Sequence, residues 1–218
     1  MIEFIKSLLR RISGGGSFKG SAQYWEKRYQ KGGNSGSGSY GKMAEFKARF
    51  LNRLVADERL QSVIEFGCGD GNQLLLAAYP SYIGVDVSPT AVTKCRERFQ
   101  SDATKKFLHL SDYREERADL SMSLDVIYHL VEDAVYEKYM RTLFAASNKL
   151  VVIYSCDAPE DSAVTSAHVR PRRFSAWITQ NLPGWKLKAH VPNELPFQGD
   201  SDTGSWSDFY VYERVDKR

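Results

Sequence analysis

Three glycines at alternate positions follow a short apolar stretch and precede a predicted helix. The segment reads VIEFGCGDGNQLL, and its glycines are Gly67, Gly69 and Gly71. Glycine permits a positive φ and a close approach of the backbone to a ligand, and the N–H groups at the start of a helix point into the same space. A dinucleotide fingerprint needs a glycine where Asn72 stands, and the GK[ST] of a P-loop is absent. The spacing predicts a ligand-binding turn of another kind.

Two acidic residues accompany this turn. Glu65 precedes Gly67, and Asp86 ends the next predicted strand in YIGVDVS, with Val87 after it. A carboxylate at the end of that strand can accept two hydrogen bonds from a ribose diol. An acidic residue followed by GxGxG resembles motif I of the class I S-adenosylmethionine-dependent methyltransferases. The resemblance implies that Glu65 lies near the amino group of the cofactor and that the glycines pass under its methionine part.

Two later segments follow in the order that this family shows. FLHLSDYRE ends a third predicted strand at Ser111 and Asp112, where the family commonly holds the adenine amine. ADLSMSLDVIYHLVED resembles the family's fourth strand and the turn after it, with Ser123 at the end of that strand. The resemblance covers residues 60 to 155 well and implies that Asp112, Tyr113 and Ser123 contact the cofactor.

An aromatic segment precedes this core. AQYWEKRY resembles the YWxxRY sequence of many small-molecule methyltransferases, in which the aromatics and the arginine lie over the cofactor. The resemblance makes Tyr24, Trp25, Arg28 and Tyr29 cofactor-binding or lid residues, and Arg28 would pair with the carboxylate of the cofactor. The alternative is an amphipathic helix that packs Trp25 into the core and leaves Arg28 in solvent.

A histidine after the fourth predicted strand has the chemistry of a base. Methyl transfer to a hydroxyl needs the reacting atoms held in line and usually a proton acceptor, for which histidine is the commonest choice near neutral pH. His129 lies one helical turn after Asp125, so that both are expected on one side. We therefore expect His129 to be the base and Asp125 to orient it, with Tyr128 beside the acceptor. The alternative is that His129 packs without a catalytic role.

Two further segments are candidates for acceptor binding. SAHVRPRRF contains His168, Arg170 and Arg172, and arginines near a helix start can bind a carboxylate or a phosphate. Solvated charge at a surface turn is the alternative. The stretch GGNSGSGSYG over residues 32–41 lies between two helical segments and carries Tyr40, which suggests a loop that closes over the site.

Hydrophobic periodicity alternates between strands and helices from residue 61 onward. This alternation predicts an α/β fold: a Rossmann-like, doubly wound sheet of seven strands, mostly parallel with one antiparallel strand near the C-terminus. A late helix is expected to start near Pro171, because proline is tolerated in a first helical turn. We expect an N-terminal amphipathic helix and glycine-rich hinge over residues 1–20, a helical cap over 21–60 and a methyltransferase core over 61–218.

The composition excludes several kinds of protein. The 218 residues include 30 basic and 27 acidic side chains, a balance that gives no support for a nucleic-acid partner. Three dispersed cysteines argue against a disulfide framework or a structural zinc site, and no clustered ligands suggest another metal. No apolar run spans a bilayer, so a cytoplasmic enzyme is expected. Residues 1–12 form a basic amphipathic pattern that suits a membrane surface, a partner subunit or the chain's own domain.

These patterns together predict an enzyme that uses S-adenosyl-L-methionine and releases S-adenosyl-L-homocysteine. We expect methyl transfer, at oxygen, to a small-molecule or glycan-linked acceptor, which the arginines would suit if it is anionic. Two alternatives stay open: an N-methyltransferase that acts on a protein or a nucleic acid, and a scaffold protein that binds the cofactor without turnover.

Overall fold

Seven strands form one sheet in the computed structural model, which describes residues 18–159, 162 and 166–215. The strands are β1 (Val63–Phe66), β2 (Tyr82–Asp86), β3 (Lys105–His109), β4 (Ala118–Leu124), β5 (Ser147–Ser155), β6 (Trp185–Val191) and β7 (Asp208–Arg214). Their order across the sheet is β3-β2-β1-β4-β5-β7-β6. Because β7 runs antiparallel to both of its neighbours and the other pairs are parallel, the predicted fold is confirmed.

Five α-helices of the described residues accompany the sheet. They are α1 (Ser21–Gln30), α2 (Gly41–Asp57), α3 (Pro89–Arg98), α4 (Asp133–Ala145) and α5 (Phe174–Asn181). No helix in the described parts of the chain is long and apolar enough to cross a membrane. The helix predicted within residues 1–12 and the hinge after it lie outside the described residues, apart from residues 18–20.

Both faces of the central strands are buried. Neighbouring residues of one strand belong to opposite cores: Val63 packs on the face that α2 and α3 cover, and Ile64 packs on the face of α4 and α5. Val152 and Ile153 of β5 divide in the same way. A strand with two buried faces needs an unbroken apolar run, which is why these strands were legible in the sequence.

Two predicted helices differ from the structure. The one expected directly after the three glycines is a single 3-10 turn, Gln73–Leu76. Asn52 of α2 ends it, since its side chain donates to the carbonyl of Leu76 and accepts from the N–H of Ala78.

The helix expected near Pro171 begins at Phe174. The residues just before it are held in extended form, because Arg172 forms a parallel bridge with Asp157. The carboxylate of Asp157 then accepts hydrogen bonds from the N–H and the hydroxyl of Ser175, in the first turn of α5. Pro171 therefore lies outside the helix.

Arg172 fastens this late segment to the loop after β4. Its guanidinium donates to the carbonyls of Leu130 and Val131 and pairs with Asp133, and its side chain is only 3% exposed. Arg170 also pairs with Asp133 and donates to Val131. These contacts correct the expectation that the two arginines bind the acceptor, because the guanidinium groups hold two pieces of backbone together.

We expect Arg172→Leu to lower the free energy of unfolding by about 2–4 kcal/mol, because the two buried carbonyls lose their donor. Urea denaturation measures the change. Arg173→Leu is the matched control, since Arg173 is exposed and should unfold as the wild type does. Equal stability of the two variants would contradict the structural role of Arg172.

Candidate active site

The glycine turn after β1 is packed tightly against other parts of the chain. Gly67 and Gly69 have φ values of 87° and 57°, a region that side chains other than glycine adopt with strain. A Cβ on Gly67 would collide with Val126, and one on Gly69 would collide with Ser35 and lie 2.8 Å from the hydroxyl of Tyr29. The glycines are therefore needed for packing as well as for the shape of the turn.

Asp86 closes this turn from the end of β2. Its Oδ2 accepts the N–H of Gly69 at 2.9 Å, and its Oδ1 accepts the N–H of Ser88 at 2.8 Å. Burial raises the pKa of Asp86, and the two backbone N–H groups oppose that shift. The carboxylate is thus fixed beside the glycine turn at the carboxyl edge of the sheet.

Glu65 of β1 is a buried carboxyl group with one hydroxyl donor. The hydroxyl of Tyr82 donates to its Oε2 at 2.6 Å. Burial raises the pKa of Glu65 to about 7, against the opposing effects of the Tyr82 hydrogen bond and the charge of Lys47. The side chain is therefore partly protonated near neutral pH.

A cavity of about 520 Å³ lies beyond the carboxyl ends of β1, β2 and β4, the place where open α/β sheets bind ligands. Nine of the predicted site residues line it: Trp25, Tyr29, Glu65, Gly67, Gly69, Asp86, Val87, Asp125 and His129. Eleven others are not among its lining residues: Tyr24, Arg28, Tyr40, Gly71, Asp112, Tyr113, Ser123, Tyr128, His168, Arg170 and Arg172.

Two predicted site residues that do not line the cavity, Gly71 after β1 and Ser123 in β4, have packing contacts. Gly71 faces the side chains of Phe99 and Cys95, which a Cβ would meet at 2.9 and 3.0 Å. Ser123 is fully buried, and its hydroxyl is bonded to the hydroxyl of Tyr139 at 2.7 Å. A contact of Gly71 or Ser123 with the cofactor stays a prediction.

The residues after β3 face outward. Asp112 is exposed in a 3-10 turn. Tyr113 donates to the carbonyl of Glu116 at 3.0 Å and packs edge-on against Phe66. A contact between Asp112 and adenine stays a prediction.

The aromatic residues of α1 do not all face the cavity. Trp25 and Tyr29 line the cavity, whereas Tyr24 stacks on His168 with 4.2 Å between ring centroids. Arg28 donates to the carbonyl of Asn34 at 2.6 Å and lies 5.7 Å from the centre of the Trp25 ring. Arg28 therefore orders the loop after α1, and its expected pairing with the cofactor is not supported by this geometry.

The loop between α1 and α2 lies across the glycine turn. The N–H of Ser35 and the hydroxyl of Tyr40 both donate to Asp70, at 3.1 and 2.8 Å. The hydroxyl of Ser35 in turn accepts the N–H of Asp70. Tyr40 thus anchors this loop, rather than facing the acceptor as expected.

Asp125 bonds to Lys47, not to His129. It has a left-handed φ of 58°, an uncommon conformation that is often found at functional sites. Its Oδ2 accepts from Lys47 at 2.8 Å, and its Oδ1 accepts from the hydroxyls of Tyr128 and Ser207. These three donors correct the expectation that Asp125 orients His129, because its carboxylate is fully engaged elsewhere.

His129 is held by backbone and aromatic rings. Its Nδ1 lies 3.0 Å from the carbonyl oxygen of His168, whose ring is stacked 5.4 Å away. Trp25 packs edge-on against it at 4.9 Å. Burial lowers the pKa of His129 to about 4, so the imidazole is neutral at physiological pH.

Sequence reasoning missed Lys47, which lines the cavity with its side chain only 1% exposed. Its position carried a signal. In α2 the buried residues Met43, Leu51 and Val55 recur at four-residue steps, and Lys47 interrupts that apolar stripe. A lysine inside an apolar stripe is rarely buried without a partner, so the pattern indicates that another residue pairs with Lys47.

The cavity fits the cofactor that the resemblance implies. Its volume lies in the range of small-molecule sites, and the glycine turn and Asp86 lie together on its wall. In the described parts of the chain, no group of three or more His, Cys, Asp or Glu side chains could hold a metal ion.

Comparison with known proteins agrees with this geometry. A family model described as a methyltransferase domain matches residues 40–192. A tRNA (carboxymethyluridine(34)-5-O)-methyltransferase of Arabidopsis thaliana is 25% identical over 141 residues, 62% of this chain. The match spans only 34% of that relative's length.

Two solved structures share the fold. The N-methyltransferase NodS from Bradyrhizobium japonicum, in complex with S-adenosyl-L-homocysteine, has a TM-score of 0.67 and 14% identity over 91% of this chain and 100% of that one. The magnesium protoporphyrin IX methyltransferase of Synechocystis, also with that product bound, has a TM-score of 0.59 and 14% identity over 95% and 93%. With the family model spanning most of its length, the chain belongs to the class I S-adenosylmethionine-dependent methyltransferases.

Proposed function

We propose that the enzyme transfers the methyl group of S-adenosylmethionine to an oxygen atom of a small-molecule or glycan-linked acceptor. The observation that carries the proposal is the position of His129 in the cavity wall, where its Nδ1 contacts the carbonyl oxygen of His168. A carbonyl oxygen only accepts hydrogen bonds, so the Nδ1 of His129 bears the proton in its contact with His168. The Nε2 atom then holds a free lone pair.

A weakly basic imidazole is sufficient for this chemistry. The proton of a hydroxyl acceptor becomes strongly acidic as the new carbon–oxygen bond forms, and a neutral imidazole within reach can take it. Because the pKa of His129 is about 4, this side chain is not protonated before the acceptor binds. The cofactor supplies the electrophilic methyl group, and His129 removes the acceptor proton.

The cap (residues 21–60) supports an acceptor of limited size. At the start of α1, the N–H and hydroxyl of Ser21 donate to Glu132. In the middle of α1, Glu26 accepts from the hydroxyls of Ser88 and Thr90 at the start of α3. Contacts at both places keep α1 over the cavity, so a small molecule or the end of a chain fits better than an extended polymer.

A neutral acceptor fits the cavity better than an anionic one. Arg170 and Arg172 are engaged in the clasp with Asp133, and the positive charge of Lys47 is balanced by Asp125 at 2.8 Å. An anion would have to compete with this buried carboxylate, whereas a hydroxyl group can add to the existing hydrogen bonds.

An RNA acceptor is the second candidate, because the A. thaliana relative is named as a tRNA methyltransferase with an oxygen acceptor. An acceptor screen with methyl-labelled cofactor, run on monosaccharides, oligosaccharides and total RNA, separates the two. Label that a nuclease releases would favour RNA, and label that resists nuclease on a sugar would favour our proposal.

Asp86→Ala should reduce the affinity for S-adenosylhomocysteine by a factor of about 10² or more, since the variant loses a charged acceptor for the ribose hydroxyls. Isothermal titration calorimetry measures the change. Asp57→Ala is the control, because Asp57 is exposed at the end of α2. Unchanged affinity in Asp86→Ala would refute the placement of the ribose.

The affinity for S-adenosylhomocysteine should rise with pH. The cofactor's ammonium group prefers the ionised form of Glu65, and a pKa of about 7 leaves that form scarce at lower pH. The association constant is expected to grow almost tenfold per pH unit below about pH 7 and to level off above it. Calorimetry on the wild type and on Glu65→Gln checks this, since the variant should give a flat profile. A flat profile in the wild type would contradict the contact.

His129→Ala should lower kcat by a factor of about 10² with the acceptor that the screen identifies, because the imidazole that takes the acceptor proton is removed. Its affinity for S-adenosylhomocysteine should stay that of the wild type. His190→Ala, a change on β6 away from the cavity wall, is the control. Near-normal turnover in His129→Ala would remove the proposed base.

A further inference from the structure

Gln73 lies directly after the glycine turn and has a fixed orientation. It begins the 3-10 turn Gln73–Leu76, is 8% exposed and lines the cavity. Its Nε2 donates to the backbone carbonyl of Ala44 in α2 at 2.9 Å. Because that carbonyl can only accept, the nitrogen of the amide must face Ala44. The position of the Oε1 atom is therefore determined as well.

The Oε1 atom of Gln73 has no hydrogen-bond donor among the described residues, although it is fully buried. A buried acceptor without a donor is unfavourable, and such groups are rare in folded proteins. Since Gln73 lines the cavity, a ligand can provide the missing donor. The atom thus points to a ligand with an N–H or O–H group at this place.

The surroundings of Gln73 identify which part of the cofactor lies there. Glu65, another hydrogen-bond acceptor, lines the same cavity. The positive charge of Lys47 acts to lower the pKa of Glu65. Lys47 lies one helical turn after Ala44, whose carbonyl accepts the hydrogen bond from Gln73. Glu65 and Gln73 therefore both lie in the part of the cavity next to α2, whereas Asp86 is placed to bind the ribose. An ammonium group, with three N–H donors, suits two acceptors.

We propose that the Oε1 atom of Gln73 accepts a hydrogen bond from the α-ammonium group of S-adenosylmethionine, which it shares with Glu65. A neutral amide suits this position because a second carboxylate beside Glu65 would repel the first. The inference depends on the cofactor alone, so it stands or falls independently of the acceptor proposed above.

The test compares two ligands on matched variants by calorimetry. S-adenosylhomocysteine carries the ammonium group, and 5′-methylthioadenosine has the same adenosine and thioether but no amino acid. Gln73→Met keeps the length of the side chain and removes the acceptor. We expect it to weaken S-adenosylhomocysteine by about tenfold or more and to leave 5′-methylthioadenosine unchanged. Gln61→Met, a change at the opposite end of β1, is the control and should alter neither affinity.

Two results would overturn the proposal. Equal losses for both ligands would show that Gln73 only shapes the turn, and an unchanged affinity for S-adenosylhomocysteine would show that solvent satisfies the Oε1 atom. Thermal melting checks that each variant is folded. If Gln73→Met does not fold, Gln73→Asn replaces it in the comparison, because asparagine keeps the amide on a side chain that is shorter by one methylene group. The same selective loss is expected for it.

Discussion

The ion pair between Lys47 and Asp125 joins the cap to the sheet and gives them one common cavity. Lys47 comes from α2 and Asp125 from the end of β4. Burying two charges is unfavourable unless each is well bonded, and here Tyr128 and Ser207 supply further donors to the carboxylate. Gly38 of the cap lies so close that a Cβ there would be 2.8 Å from the carboxylate. The pair thus holds α2 and the loop before it against the end of β4.

Burial disfavours the charged form of two ionisable side chains of the cavity, Glu65 and His129. It raises the pKa of Glu65 and lowers that of His129, in each case because the charged form is poorly solvated. The cavity therefore favours the uncharged forms of Glu65 and His129. In the proposed reaction, Glu65 becomes ionised when the positively charged cofactor binds, and His129 stays neutral as the proton acceptor. One physical effect thus acts on both the proposed binding group and the proposed base.

The parts of the site that could be recognised in the sequence consist of residues that lie near one another along the chain. Gly67, Gly69 and Glu65 act through the backbone turn and the strand that contain them, and Asp86 follows from the next strand. Their positions are set by local geometry and by the rule that parallel strands present their carboxyl ends at one edge. The same holds for the strands, whose apolar runs reflect burial on both faces. Two partners of Asp125, Lys47 and Ser207, and the partners of Arg170 and Arg172 could not be recognised in the sequence, because they lie far away in the chain.

The sequence by itself determined the sheet, the glycine turn, the acidic residues around it and the family, since these depend on short-range patterns of residue type. Only the tertiary structure decided which polar groups face the cavity. It pairs Asp125 with Lys47, bonds Arg172 to the backbone after β4 and, among the described residues, leaves the Oε1 atom of Gln73 without a donor. The physical reason is that a polar side chain in the interior takes the partner that folding brings to it, and the spacing of residues along the chain does not contain that information.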